Sequence, residues 1–229
     1  MPDMMEIYQK HAVQYDELVD AEDWQANLWK TLQAVTSWEG KAVIEAGVGT
    51  GRVTALYAAA ARAIACFDAS PHMLERARLR LARFGDTVSF AVADNLALPR
   101  LDGEYDVFIE GWSFGHSIMG NPGAEEETTT ALLAGASRNL RQGGKMILIE
   151  TLGTCVDAPA APDPALGRFY ERLERDHGFE KRTVRTDYEF PDVEEADRIC
   201  RFFFGDAMGN EVRRRGERII PEWTGVWHR

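Results

Sequence analysis

The sequence predicts an α/β fold built on a doubly wound, mostly parallel sheet. Short apolar segments alternate with helical ones from Lys41 to Glu150, which is the pattern of parallel strands joined by crossover helices. Acidic residues stand at the ends of several predicted strands, and a glycine-rich turn follows the first strand. Because ligands of such sheets bind beyond the carboxyl ends of the strands, both features indicate a ligand site at that edge.

Composition and charge bound the class of protein. The 229 residues suffice for one full core, and 45% of them are hydrophobic, as in ordinary globular proteins. The net charge of -11 argues against a nucleic-acid partner, because phosphate binding needs clustered Lys and Arg. We therefore expect a small-molecule partner. The protein is expected to be a monomer or a homodimer.

Targeting and cysteine features predict a cytoplasmic protein. The N-terminus, MPDMMEIYQK, lacks the basic and apolar regions of a secretory signal. No apolar run approaches the roughly 18–20 residues that span a bilayer, so no membrane association is expected. Cys66, Cys155 and Cys200 are scattered without a C-x-x-C pair, which predicts reduced thiols and no metal site.

The first 37 residues are predicted to be helical. One buried face is indicated by residues at helical spacing, Trp24, Leu28, Leu32 and Val35. Asp20 or Glu22 is the expected start signal of that helix. A polar segment lies ahead of it and contains Tyr8, His11, Tyr15 and Asp16. This segment is either a lid over a pocket or a surface arm.

Five strands are expected in the first part of the chain: Lys41–Ala46, Ala63–Phe67, Thr87–Val92, Tyr105–Glu110 and Lys145–Glu150. The crossover helices run from Arg52 to about Ala61, from the cap Ser70-Pro71 onward, and from about Ala124 to Leu140. The stretch GWSFGHSIMGNPG is expected to be a long loop. After Glu150 the expected elements are a helix around Leu166–Leu173, a strand Lys181–Phe190, a helix Val193–Phe204 and a strand Glu217–Trp227.

The glycine turn, in the stretch VIEAGVGTGR, favours a nucleotide-like ligand held against backbone. Gly47, Gly49 and Gly51 form G-x-G-x-G, whereas the dinucleotide fingerprint is G-x-G-x-x-G. Glu45 ends the preceding strand, where a carboxylate would repel a pyrophosphate but would suit a ligand with an amine. These two features argue against a nicotinamide dinucleotide.

Five segments resemble the motifs of class I S-adenosylmethionine-dependent methyltransferases of the small-molecule type. They are VIEAGVGTGR, CFDASPHMLERAR, AVADNLALP, YDVFIEGWSFGH and GGKMILIE, in that order. The resemblance implies a Rossmann-like, seven-stranded sheet whose last strand is antiparallel and lies beside the fifth. It also implies one domain over residues 1–229, with an N-terminal helical lid (1–40), a cofactor-binding core (41–150) and a substrate-side part (151–229). N-terminal helices and a helical insertion, Asp192–Gly216, would shape substrate specificity.

The resemblance also implies roles for individual residues toward S-adenosylmethionine. Asp68 would accept from the ribose hydroxyls, Asp94 from the adenine amine, and Glu45 would lie near the methionine part. Met73 would pack on the adenine, although its spacing also suits the core face of its helix. The expected cofactor-binding residues are Tyr15, Glu45, Gly47, Gly49, Gly51, Asp68, Ala69, Met73, Asp94, Asn95, Glu110 and Gly111.

The implied reaction is transfer of a methyl group to an oxygen, nitrogen or carbon atom of a small acceptor. An acidic nucleophile needs a general base. His116 is the first candidate, because histidine titrates near neutrality, and Glu110 is the second. His116 is otherwise a loop histidine bonded to backbone. Six aromatic residues fall in regions that could face the substrate, although such residues belong more often to the core: Trp112, Phe114, Phe169, Tyr170, Trp223 and Trp227.

Two other functions remain open from the sequence. One is a nicotinamide-dependent oxidoreductase on a similar sheet, which the glycine spacing disfavours. The other is a non-catalytic module that binds the cofactor to sense it or to pair with an active partner, since its cofactor motifs would look the same.

Overall fold

The computed structural model describes residues 6–7 and 10–229. The strands of its parallel half are β1 (Ala42–Ala46), β2 (Ala63–Asp68), β3 (Val88–Val92), β4 (Tyr105–Gly111) and β5 (Leu140–Thr154). The first four match the predicted bounds to within one residue, whereas β5 is longer at both ends. All five residues of β1 are buried, as a strand covered on both faces requires.

The C-terminal strands complete a seven-stranded sheet. They are β6 (Glu180–Arg185) and β9 (Glu222–His228), and the strand order is β3-β2-β1-β4-β5-β9-β6. Strand β9 is antiparallel to both β5 and β6, whereas the pairs among β1 to β5 are parallel. The predicted Rossmann-like α/β sheet with an antiparallel last strand beside the fifth is therefore confirmed.

Nine α-helices have both ends inside the described residues, 6–7 and 10–229: α1 (Ala12–Ala21), α2 (Asn27–Val35), α3 (Arg52–Tyr57), α4 (Pro71–Leu81), α5 (Phe114–Met119), α6 (Glu125–Ser137), α7 (Pro164–Arg175), α8 (Val193–Phe204) and α9 (Asp206–Arg215). Three of them begin at side-chain caps, one of which, Ser70, the sequence predicted. Ser70 accepts from the Met73 amide, and Asp192 accepts from the Glu195 amide at 2.8 Å. Asp163 caps α7 in the same way.

The helix that was expected to start at Asp20 or Glu22 starts later, at Asn27. Asp23 and Ala26 have positive φ angles, 59° and 55°, which break the helical path. The Asp23 carboxylate accepts from the amides of Asn27 and Leu28, so Asp23 starts α2 rather than Asp20 or Glu22. Trp24 precedes the helix and is 47% exposed, so it does not belong to the buried face. Tyr8 lies outside the described residues.

The predicted strand Lys181–Phe190 is divided in two. After β6 the chain leaves the main sheet, and β7 (Tyr188–Glu189) pairs with β8 (Ile219–Ile220) in a separate two-stranded sheet. Asp187 fixes the break, because its carboxylate accepts from the Arg185 guanidinium at 2.6 Å and from the Glu222 amide at 3.0 Å. The helices α8 and α9 fill the expected insertion between these strands.

Apolar side chains pack on both faces of the main sheet and in a third cluster. Val43 and Ile147 belong to the core on one face, and Ile44 and Leu148 to the core on the other, as strand alternation requires. The third cluster joins α1 to α8, β7 and β8. The N-terminal helix and the C-terminal insertion are thus packed together.

Candidate functional site

The glycine turn after β1 lies against neighbouring elements at very short range. Gly47, Gly49 and Gly51 all have positive φ angles, a conformation that glycine adopts without strain. A Cβ at Gly47 would lie 2.2 Å from the Cβ of Ser113, and one at Gly51 would lie 2.9 Å from Cδ1 of Leu81. The lack of a side chain at Gly47 therefore makes room for Ser113, after β4, and the lack of one at Gly51 makes room for helix α4.

Asp68 ends β2 beside this turn. Its Oδ2 accepts from the Gly49 amide and its Oδ1 from the Ser70 amide, both at 2.8 Å. Burial raises the pKa of Asp68, while the two amides oppose that change. Both carboxylate oxygens are thus held in one orientation at the edge of the sheet.

A cavity of about 300 Å³ opens at this edge. Its lining combines the glycine turn, the ends of β2 and β4, and the start of α5: Tyr15, Gly47, Gly49, Asp68, Ala69, Ser70, Pro71, Met73, Asp94, Asn95, Gly111, Trp112, Ser113, His116 and Ser117. The cavity brings together the expected cofactor-binding residues except Glu45, Gly51 and Glu110. Sequence reasoning did not assign Ser70, Pro71, Ser113 or Ser117 to the site.

Glu45 is directed into helix α3 instead of the main cavity. Its Oε2 accepts from the hydroxyls of Thr54, at 2.7 Å, and of Tyr57. Burial raises the pKa of Glu45 to about 7. The residue also lines a smaller cavity of about 30 Å³, next to Thr50 and Arg52.

Glu110 is likewise turned away from the main cavity. Its Oε2 accepts from the Ser113 amide (3.1 Å), the Ser113 hydroxyl (2.9 Å) and the Phe114 amide (3.2 Å). The expectations that Glu110 binds the cofactor or acts as a base are therefore not met by its position. Gly111, the next residue, does line the cavity, because successive residues of a strand face opposite sides.

The stretch that was expected to be a loop contains helix α5. Phe114 and Ile118 are fully buried, whereas His116 and Ser117 line the cavity. Burial lowers the pKa of His116, so its imidazole stays neutral at pH values where an exposed histidine begins to charge. Ser113, His116 and Ser117 are spaced three and four residues apart, a helical signal that identifies this face.

Most of the aromatic residues considered as pocket walls belong to the core. Phe114, Phe169, Tyr170 and Trp227 lie in the cluster on one face of the sheet, and Trp223 packs against it. Trp112 lines the cavity. It has a positive φ angle of 54°, and the Arg52 guanidinium lies 4.6 Å from its ring centre.

Helix α1 reaches the same cavity through Tyr15, whose pKa is raised to about 12 by burial. Asp16, the next residue, binds the guanidinium groups of Arg76 at 2.6 Å and Arg80 at 2.8 Å. On its other side, Glu17 pairs with Arg198 of α8 at 2.8 Å. These contacts favour a cover over the cavity rather than a detached surface arm. His11 instead packs edge-on against Phe202.

Two features do not occur among residues 6–7 and 10–229. One is a helix long and apolar enough to cross a membrane, and the other is a group of three or more His, Cys, Asp or Glu side chains that could hold a metal ion. Cys66, Cys155 and Cys200 are buried free thiols.

Comparisons with known proteins agree with this geometry. Residues 43–144 match the family model of the methyltransferase domain. An uncharacterised methyltransferase of Geobacillus sp. (strain WCH70) is 28% identical over 150 residues. That alignment covers 63% of this chain and 66% of the relative, slightly under two thirds of the relative's length.

Solved structures share the fold at low sequence identity. The complex of DhpI with SAH has a TM-score of 0.60 and 16% identity, and the match covers 99% of this chain and 94% of that one. A candidate RNA methyltransferase from Pyrococcus horikoshii has a TM-score of 0.51 and 16% identity, over 88% of this chain and 78% of that one. The chain is thus similar to the methyltransferase domain over residues 43–144, and the solved structures share its fold.

Proposed function

We propose that the chain binds S-adenosylmethionine in the main cavity and methylates a small-molecule acceptor. The observation that carries this proposal is the Asp68 carboxylate, fixed by two amides at the cavity wall beside the glycine turn. A carboxylate held in this way is a strong acceptor for a pair of neighbouring hydroxyls, such as those of a ribose. The cavity volume of about 300 Å³ lies at the lower end of the range for small-molecule sites, about 300–1,000 Å³.

The remaining lining fits the other parts of the cofactor. Gly47 and Gly49 offer backbone without side chains, and Met73 offers a buried apolar surface. Asp94 and Asn95, after β3, supply polar groups for an adenine edge. Tyr15 reaches the cavity from α1, and we include it as part of a cover that limits access of water.

When bound, the cofactor supplies an electrophilic methyl group carried on a sulfonium. The chain's own task is to hold the acceptor in line and to remove its proton. His116 is the residue that we assign as general base, because it lines the cavity and its lowered pKa keeps the imidazole neutral at pH 7. Trp112 and Ser117 border the same space and would help to orient the acceptor.

A small acceptor is supported by the charges around the cavity. Its ionisable lining residues are Asp68, Asp94, His116 and Tyr15, and the lining includes neither Lys nor Arg. With a net charge of -11, this wall would repel a polyphosphate acceptor rather than attract it.

Calorimetry with S-adenosylhomocysteine tests the proposal directly. Wild-type protein should bind it, and Asp68→Ala should weaken binding by roughly 100-fold, because charge-assisted bonds to both hydroxyls are lost, each of about 1.5–3 kcal/mol. Asp86→Ala, at an exposed position, is the matched control and should bind like wild type. Absence of binding at millimolar ligand would overturn the proposal, and binding of NADH in its place would favour an oxidoreductase.

Turnover of a panel of small acceptors tests the reaction and the base together. Methylated product should form with at least one acceptor, and His116→Gln should lower the rate by about 100-fold or more while cofactor affinity is kept. If the His116→Gln variant turns over at the wild-type rate, His116 is not the general base.

A further inference from the structure

Helix α5, which carries His116, begins against two buried carboxyl groups on neighbouring strands. Glu110 lies in β4 and Glu150 in β5, and their exposed fractions are 0% and 3%. Glu110 is opposite Leu148 in the parallel register, so Glu150, two residues further on, projects from the same face of the sheet. Both carboxyl groups thus meet the same end of α5.

These two side chains accept three successive backbone N–H groups. Glu110 Oε2 accepts from the amides of Ser113 and Phe114, and Glu150 Oε1 accepts from the amide of Gly115 at 2.6 Å. The first N–H groups of a helix have no partner within the helix, so an outside acceptor decides where the helix starts. The α5 start is therefore fixed by side chains of the sheet.

Close packing leaves α5 little room to shift. A Cβ at Gly115 would lie 2.9 Å from Oε2 of Glu150 and 3.1 Å from Cδ2 of Leu166. On the other side, Ser113 fills the space that glycine leaves at position 47. A displacement of α5 would move His116 relative to the cavity.

The two carboxyl groups differ in how many donors they receive. Glu110 Oε2 accepts two amides and the Ser113 hydroxyl, whereas Glu150 accepts one amide. More donors favour the charged form of a carboxyl group, and a second charge nearby disfavours it. In agreement, burial and the nearby Glu110 raise the pKa of Glu150 well above its usual range, while burial raises that of Glu110 to about 7.

We propose that Glu110 and Glu150 are positioning residues whose carboxyl oxygens fix the start of α5, so that His116 faces the cavity. Glu150 acts as a neutral acceptor that completes the attachment. The functional meaning of the proposal rests on the proposed role of His116, but the attachment itself does not.

Histidine titration by NMR tests this attachment without cofactor or acceptor. In protein labelled at histidine, His116→Gln identifies the His116 signal among the five histidines. Glu110→Ala should move the His116 titration upward by roughly half a pH unit or more, toward the ordinary value near 6.5, because it removes the acceptor of the Ser113 and Phe114 amides and a loosened α5 admits water. Loss of the Glu110 charge alone would act in the opposite direction, so an upward shift reports movement of the helix.

Glu150→Gln should leave the titration unchanged, because glutamine keeps an acceptor oxygen for the Gly115 amide and is neutral. Glu150→Ala should shift it upward. Glu222→Gln removes a buried carboxyl group that bonds Thr151 rather than α5, and is the matched control. A global loss of stability would lower the melting temperature of these variants without moving the His116 titration of the folded protein.

An unchanged titration in Glu110→Ala, or an equal shift in Glu150→Gln, would overturn the proposal. If Glu110→Ala does not fold, Gly115→Ala provides a second route, since its methyl group would push α5 off Glu150 and should shift the titration upward. Failure of S-adenosylhomocysteine to bind would overturn the proposed function and leave this result standing.

Discussion

Single residues at the sheet edge divide into those that face the cavity and those that hold its walls. Asp68 and His116 reach the cavity, while Glu45 and Glu110 turn into the protein and bind α3 and α5. Both kinds are acidic or titratable residues at strand ends, so they look alike in the sequence. What separates them is the direction of the side chain, which alternates along a strand.

The raised pKa of Glu45 predicts how the free energy of unfolding depends on pH. Its folded pKa of about 7 lies above the ordinary 4.5, so its contribution to stability is complete below pH 4.5 and is lost as pH rises through 7. Wild type should therefore lose on the order of 3 kcal/mol of unfolding free energy relative to Glu45→Gln between pH 4.5 and pH 7.

Urea unfolding of both proteins across this pH range checks the prediction. Glu104→Gln, at an exposed position, controls for the loss of one carboxylate. A stability difference between wild type and Glu45→Gln that is independent of pH would contradict the assignment of a protonated Glu45.

At the scale of elements, helix α1 connects helix α4 to helix α8 of the C-terminal insertion. Asp16 joins it to α4 through Arg76 and Arg80, and the third apolar cluster joins it to α8. The helix that reaches the cavity with Tyr15 is therefore held by the C-terminal insertion as well as by helix α4. A substitution that displaces the insertion should therefore also displace α1 and the Tyr15 side chain at the cavity.

Asp16→Ala should loosen α1, because it leaves the partly buried guanidinium of Arg76 without its carboxylate and leaves Arg80 with Asp20 alone. Hydrogen exchange of the α1 amides should speed up by about 10-fold or more, while exchange in β1 and β4 stays unchanged. Glu17→Ala removes an ion pair from the exposed side of the same helix and should have little effect. Equal effects of the two substitutions would show that the ion pairs of Asp16 hold α1 no more firmly than the exposed pair of Glu17 does.

At the scale of the whole molecule, the end of the chain lies inside the main sheet. Strand β9 is hydrogen-bonded to β5 on one side and β6 on the other, and Trp227 is fully buried. The C-terminal part therefore cannot separate from strands β1 to β5 without breaking the ladder between β5 and β9. We expect both parts to unfold together.

Fluorine NMR of protein labelled at tryptophan checks this cooperativity. The native signals of Trp38, which stacks on Tyr57 near the first strand, and of Trp227 should disappear at the same urea concentration. Loss of the Trp227 signal at clearly lower urea would show that the C-terminal part unfolds by itself.

The sequence by itself determined the class of fold, most strand positions and most of the cavity lining. Alternation of apolar strands and helices is a local pattern, and parallel strands bring their carboxyl ends to one edge, so Asp68, Asp94 and the glycine turn had to meet there. The predicted Ser70 cap is likewise a local signal that the structure retains.

Only the tertiary structure decided where Glu45 and Glu110 point, that α5 is a helix, and that the strand after β6 turns away. Each depends on partners distant in sequence: Glu150 for the start of α5, and Glu222 for the turn at Asp187. Most of the aromatic residues after Trp112 lie in the core. The sequence could not distinguish this from a pocket wall, because an apolar ring packs equally well in either until its neighbours are fixed.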